Sequence, residues 1–274
     1  MNAMSEKVSV NEVKAFWESH PLCVDGISYE PGSLAFYERH NVLRAMDEPL
    51  PFQMSTYEFD KFSGKALLDV GCGNGFVAVG YARFGAHVTA VDLTTKAVEL
   101  TKQRFKVYGI DADKGGHHFL QANAESLPFA DESFDVVTCY GVIHHTPDTA
   151  RAIDEIFRVL KPGGQLRLMV YHRNSVIYRV KFPYWRVMWR EVRGKTQQEM
   201  VNRVDGILNP LGKVYSKAEV RELTHKFVGH RFVTSPIQAT DFPQPFIAAI
   251  IPMGVMGWLS RRFGWFLYLA AQKP

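Results

Sequence analysis

The sequence predicts an α/β fold, doubly wound around a mostly parallel sheet, and three observations carry that expectation. Short β-rich runs at 67–70, 86–91, 118–122, 134–140 and 165–171 alternate with segments of helix length. Connections of that kind join neighbouring strands by right-handed crossovers, so the strands run parallel. The first run, Leu67-Leu68-Asp69-Val70, leads directly into Gly71-Cys72-Gly73-Asn74-Gly75, a turn with glycine at every second position. The second run ends at Asp92, seventeen residues beyond Gly75. A strand, a bare-backbone turn and a helix N-terminus present N–H groups to a ligand. A carboxylate at the tip of the next strand is placed to hold a ribose diol.

Taken in order, residues 9–20 form a short helix with Val10, Val13 and Trp17 on one stripe, ended by His20-Pro21. A second helix starts at residue 34, after Ser33 as N-cap. Residues 49–63 hold Pro49, Pro51 and a mixed segment. Residues 1–60 are too few to bury a core alone and read as a helical cap on the domain at 61–274. Helices are expected at 76–84, 94–108 and 149–160, the last stopped by Lys161-Pro162-Gly163-Gly164 as a turn. Ser216 and Glu219 form a capping box for a helix at 215–223. Runs 230–234 and 264–271 are the last strands. Two apolar stretches, within insertions at about 175–214 and 237–260, are expected to cover a substrate.

Composition narrows the class. Of 274 residues, 46% are hydrophobic and 22% charged, as in ordinary globular chains. A net charge of +4 is too mild to imply a nucleic-acid partner. Cys23, Cys72 and Cys139 have neither disulfide nor metal-ligand spacing, which suits a reducing compartment and no metal site. Met1–Lys7 lacks a basic start followed by an apolar run, so a cytoplasmic location is expected.

Each candidate residue has a bland reading beside the functional one. Asp69 interrupts an apolar strand; it braces the turn amides and a ligand ammonium group, or it only anchors the loop. Cys72 reads as a space-filler within the turn. Asp92 grips a ribose, or it caps the helix that follows. After the third strand come Asn123, Ala124 and Glu125, the last equally a solvated charge. Tyr140 ends the fourth strand. His144 and His145 follow it, and either is a candidate general base or a packed core histidine. Tyr29, Tyr37, His20 and His172 are weaker candidates for an acceptor pocket. Phe76 occupies the third small position of the dinucleotide fingerprint G-x-G-x-x-G/A, which argues against a nicotinamide oxidoreductase.

In order, Asp69-Val70-Gly71-Cys72-Gly73-Asn74-Gly75, Asp92, Leu127-Pro128-Phe129, Phe134-Asp135-Val136-Val137 and Leu160-Lys161-Pro162-Gly163-Gly164 resemble the class I S-adenosylmethionine-dependent methyltransferases, small-molecule branch. The resemblance covers 65–172. It implies a Rossmann-like, seven-stranded sheet with an antiparallel last strand at 264–271. It implies S-adenosylmethionine as cofactor and S-adenosylhomocysteine as product, held by Asp69, the 71–75 turn, Asp92, Leu93, Asn123, Ala124, Glu125 and Tyr140. Asn123 stands where the family commonly has an acid. The expected reaction is in-line methyl transfer to a small hydrophobic or amphiphilic acceptor, with His145 or His144 as base. Two rivals are a cofactor-binding scaffold without catalysis and, further off, the oxidoreductase. The runs 176–190 and 242–260 admit shallow contact with a membrane surface as the alternative to a pocket lid.

Overall fold

The computed structural model describes residues 8–21 and 26–274; Met1–Lys7 and residues 22–25, including Cys23, lie outside the described residues, and with them the reading of the N-terminal segment. Helix α1 (Val10–Ser19) opens with a full capping box between Ser9 and Glu12. Ser33 caps α2 (Leu34–Asp47) as expected. The mixed segment resolves into α3 (Leu50–Tyr57), with Pro51 in its first turn, and a 3-10 turn at Phe59–Phe62.

Alternation then begins. Strand β1 (Ala66–Val70), α4 (Phe76–Arg83), β2 (His87–Asp92) and α5 (Thr95–Val107) are followed by a one-turn helix α6 (Ala112–Gly115) and β3 (His118–Gln121). Next come β4 (Phe134–Tyr140), α7 (Thr149–Val159) and β5 (Leu160–His172). A π-helical turn at Ile177–Lys181 continues into α8 (Phe182–Met188), then α9 (Gln197–Asn202), β6 (Val214–Tyr215) and α10 (Lys217–Leu223), which has the expected capping box. Strand β7 (Val228–Thr234), α11 (Phe246–Ile250), α12 (Met253–Phe263) and β8 (Phe266–Gln272) complete the chain.

The sheet order is β3-β2-β1-β4-β5-β8-β7, and the two-residue β6 pairs with the end of β5 as an eighth strand. Strands β1 to β5 are parallel, while β8 is antiparallel to both β5 and β7. The chain reverses its direction of travel across the sheet between β1 and β4. Ligands of open α/β sheets lie outside the carboxyl ends of the strands at such a switch point. One core face packs β-strand residues such as Val137 and Leu168 under Ile153 and Ile156 of α7. The other packs Leu67, Val88 and Ala90 under α4, α5 and the aromatic rings of Tyr57, Phe59 and Phe62.

One expectation needs correction. The Lys161–Gly164 stretch is not a free turn between helix and strand. Leu160 already pairs with Phe134, the ladder resumes at Gln165 opposite Val136, and the intervening residues bulge out of register. Gly163 still takes a left-handed φ of 75°, so the turn chemistry operates inside a strand. Arg104 of α5 is fully buried. Its Nη1 donates to the Asn74 backbone oxygen (3.3 Å) and to Asn74 Oδ1 (2.9 Å), and its Nη2 donates to Asn41 Oδ1. The guanidinium lies 4.9 Å from the Tyr37 ring centroid. Amide oxygens and aromatic faces thus replace water around a cation without a carboxylate. Burial lowers its pKa to about 10.

Candidate active site

A cavity of about 810 Å³, mouth included, lies at the carboxyl ends of β1, β2 and β4. Val70, Gly71 and Gly73 form its floor. Asp92, Leu93 and Thr94 form one wall, and Ala122, Asn123 and Ala124 another. Tyr140, Gly141, Val142, His145 and Thr146 close the far side, and Val13, Trp17 and Pro21 roof it.

The turn is fixed by close approach. Gly71 has φ 75°, and a Cβ there would sit 2.1 Å from Val142 Cγ2. No other residue fits without displacing a cavity wall. The amides of Gly71 and Cys72 both donate to the Val91 carbonyl, at 2.7 and 2.9 Å. Gly73 N–H donates to Asp92 Oδ2 at 3.1 Å, while Thr94 donates to Oδ1 through both its N–H and its hydroxyl, at 2.9 Å each. Thr94, not Asp92, caps α5. The carboxylate of Asp92 is therefore oriented and three of its roughly four lone-pair sites are used. What is left over is an acceptor in the cavity wall, matched to a hydroxyl donor such as a ribose. Burial raises its pKa.

Asp69 does not brace the turn. Its Oδ1 accepts from Thr138 Oγ1 (2.7 Å), its buried Oδ2 has no partner, and it does not line the cavity. The turn amides are held instead by Val91 and Asp92, because the Asp69 side chain points from β1 toward β4. Burial raises its pKa to about 7. Cys72 is buried with its thiol pKa pushed up by desolvation, as an inert filler. Asn74 is turned away to Arg104, and Gly75 serves as N-cap of α4, so neither reaches the cavity. Asn123 Oδ1 accepts from Glu125 N–H (3.0 Å), which leaves its NH₂ group the freer end for a ligand. Glu125 is no solvated charge: it is buried, and Oε1 accepts from Asp148 N–H at the start of α7 (2.8 Å).

The two histidines part company. His144 is 0% exposed, with its ring 4.0 Å from the Tyr171 ring and neither nitrogen hydrogen-bonded. Burial holds its pKa well below the ordinary histidine value, and it does not line the cavity, so it has no route to a substrate proton. His145 does line the cavity. Its Nδ1 is 2.6 Å from the Leu211 carbonyl, which only accepts, so Nδ1 carries a proton. Nε2 is then the basic atom, 3.4 Å from Asp205 Oδ2. Tyr171 donates to Asp205 Oδ1 at 2.6 Å and holds that carboxylate in place. Burial lowers the His145 pKa, and Asp205 opposes the shift. Asp205 and Leu211 carry no sequence signal, since they reach the site from an irregular stretch around 203–213.

Among the weaker candidates, Tyr37 donates to the Leu100 carbonyl and His172 lies against the Gly264 carbonyl, both inside the fold. His20 stacks on Phe16 and Tyr29 is exposed; none of the four lines the cavity. Nor does any residue of 175–214 or 237–260. Those segments pack on one another through Val176, Ile237 and Phe242 instead. The roof comes from α1, whose Glu18 carboxylate accepts from Thr95 and Lys96 N–H at the start of α5, 3.1 Å each.

Residues 68–168 match the family model described as methyltransferase domain. The match spans 101 of the 274 residues, and over that stretch the chain is similar to a methyltransferase domain. A ubiquinone biosynthesis O-methyltransferase of Haemophilus ducreyi is 35% identical over 47% of this chain and 55% of its own length. That of Xylella fastidiosa is 36% identical over 42% and 46%. The chain thus spans about half the length of the curated relatives it matches. Among solved structures, a SAM-dependent methyltransferase of Thermotoga maritima superposes with a TM-score of 0.54 at 18% identity, over 87% of this chain and 95% of the other. The [4+2]-cyclase SpnF superposes with a TM-score of 0.53 at 20% identity, over 96% and 93%. These likenesses show a methyltransferase fold, which carries more than one chemistry.

Proposed function

We propose that this protein transfers the methyl group of S-adenosylmethionine to a hydroxyl of a small, largely apolar acceptor. The supporting observation is one cavity that brings together the bare Gly71–Gly73 turn, the oriented Asp92 carboxylate and a proton-accepting His145. Asp92 takes the ribose, with Asn123, Ala124 and Leu93 around the adenine. The buried, unpartnered Asp69 oxygen supports an amino end of the ligand nearby, reached through water. An oxygen acceptor is favoured by the relatives named O-methyltransferases. An apolar one is favoured by Trp17, Val13, Val142 and Tyr140 in the walls. Residues 8–21 act as the cap over that cavity in this reading, and the free, buried Cys72 and Cys139 favour a reducing, cytoplasmic setting.

When bound, the cofactor supplies a sulfonium methyl open to in-line attack. The chain supplies alignment, exclusion of water by α1, and a place for the hydroxyl proton. His145 Nε2 takes that proton, Nδ1–H stays on Leu211, and Asp205 stabilises the resulting imidazolium. No residue of the chain forms a covalent bond to substrate.

The test pairs calorimetric titration of S-adenosylhomocysteine with a methyl-transfer screen over phenols and catechols. Binding with turnover on hydroxylated aromatics is expected. Binding without turnover on any acceptor favours the scaffold reading, which the likeness to a cyclase keeps in view; no binding removes both.

A further inference from the structure

Exposed apolar side chains gather on two adjoining segments that take no part in the cavity. Residues 175–193 and 237–263 contain nine of the nineteen exposed large hydrophobic residues of the described chain. They include Val187, Met188 and Trp189 at the end of α8, and Phe246, Ile250 and Met253 across the α11–α12 junction, Met253 being 91% exposed. The segments touch through Gln244 and Tyr184 and share the apolar cluster of Val176, Ile237 and Phe242.

Helix α12 has two apolar sides. Met256, Leu259 and Phe263 turn toward that cluster. Val255 and Trp258 lie on the more exposed flank beside it, followed by Arg262, whose guanidinium sits 4.6 Å from the Trp258 ring centroid. Exposed apolar side chains gathered on one surface have no reason to persist there bathed only by water.

Charge names its partner. The two segments hold seven Lys and Arg against Glu191 and Asp241, a net +5. The whole chain carries +4, so the remaining residues sum to −1. The basic excess of the protein is therefore concentrated beside its exposed apolar side chains. Exposed Arg190, Arg193, Arg261 and Arg262 flank tryptophans, the combination that suits a lipid headgroup layer over an acyl boundary. Among the described residues no helix is long and apolar enough to cross a membrane.

We infer that the α8 and α11–α12 segments together form a docking surface for an anionic lipid bilayer, on which the protein rests without spanning it. The two pieces of the surface supply different terms. Apolar side chains enter the headgroup boundary, and the arginines set the preference for negative lipid.

Cosedimentation with phosphatidylcholine vesicles, with and without phosphatidylglycerol, tests this on the full chain. Binding to the anionic vesicles alone, reversed by high salt, is expected. Arg261→Ala with Arg262→Ala should weaken partitioning about 30-fold, about fivefold per cation. Met253→Ser with Trp258→Ser should abolish it. Neither pair touches the cavity, so S-adenosylhomocysteine affinity should stay at the wild-type value and certify the fold. Equal binding to neutral vesicles, or no binding to either, overturns the inference. So does a concentration-dependent dimer that Met253→Ser with Trp258→Ser dissociates while vesicles are ignored, since a second copy then covers the surface. The inference is independent of methyl transfer: lipid binding by a protein that fails the cofactor titration leaves it standing and removes only the proposed activity.

Discussion

Replacing Asp92 separates the two jobs that its carboxylate holds. One oxygen accepts from Thr94 twice, and the other accepts from Gly73 N–H. A ribose has one unused lone-pair site to address unless Gly73 lets go. A hydrogen bond to a charged group is worth about 1.5–3 kcal/mol. Asp92→Ala should therefore weaken S-adenosylhomocysteine binding about ten- to hundredfold. Asp92→Asn is the sharper probe. With its oxygen facing Thr94, it sets an NH₂ group against Gly73 N–H, two donors where a donor and an acceptor belong. It should lose nearly as much affinity as alanine although its shape is conserved. Isothermal titration calorimetry of both variants, with circular dichroism melts to confirm folding, measures the effect. A Kd within twofold of wild type for folded Asp92→Ala would remove the ribose assignment and, with it, the orientation proposed for the cofactor.

The remaining predictions address the turn, the base and the buried acid. Gly71→Ala should unfold the turn or abolish cofactor binding, because it meets both a left-handed φ and Val142. Adding Val142→Ala should restore part of the melting temperature but not all of it, since only the clash is relieved; full rescue would mean that the φ carries no cost. His145→Ala should leave S-adenosylhomocysteine affinity alone and reduce turnover about 10²–10⁴-fold. Because burial lowers the His145 pKa, the acid limb of kcat should lie below the ordinary 6.5, and Asp205→Asn, which removes the opposing carboxylate, should move it lower still. A limb moved upward by Asp205→Asn contradicts that assignment. For Asp69, the folded pKa is raised from 3.8 to about 7, so the folded state binds the proton more tightly. Its stabilisation is present below the unfolded pKa and is lost as pH rises through the folded one, on the order of 4 kcal/mol across that window. Asp69→Asn, which stays neutral, should flatten the fall in denaturant-derived stability between pH 4 and 8. An unchanged slope would show that the acid is not held protonated.

The sequence was most legible where one local rule decides the outcome. Ser9, Ser33 and Ser216 are caps whose side chains need only the next turn of helix, and all three cap as expected. The β1–turn–α4 unit is equally local, and the glycine spacing located the cavity floor. Asn74 and Glu125 were misassigned because their partners are distant in sequence: Arg104 comes from α5 and Asp148 from the start of α7. Nothing near residue 74 announces a buried guanidinium thirty residues later. The same applies to His144 and His145. Adjacent in sequence and identical in type, they differ because a 3-10 turn at Ile143–His145 turns one ring onto Tyr171 and the other toward the cavity.

That 3-10 turn also bears on where acceptor chemistry is encoded. His145 lies inside the stretch 68–168 shared with the family, yet the atoms that define its chemistry lie outside it. Leu211 fixes the tautomer and Asp205 faces the basic nitrogen. Trp17, also outside, packs an edge on the imidazole with 5.2 Å between ring centroids. Four residues to either side of it, Val13 on α1 and Pro21 just beyond the helix line the same cavity, while Glu18 holds the start of α5. One short helix thus touches both the wall proposed for the sugar and the ring proposed as the base. On the proposed reading, α1 has to leave both for ligands to exchange and return to both before transfer. A histidine whose tautomer and counter-ion depend on 203–213 then has its basicity set by a segment outside the matched stretch. Substrate choice can diverge there at no cost to cofactor binding, because no residue of 203–213 contacts the glycine turn or Asp92 through a hydrogen bond.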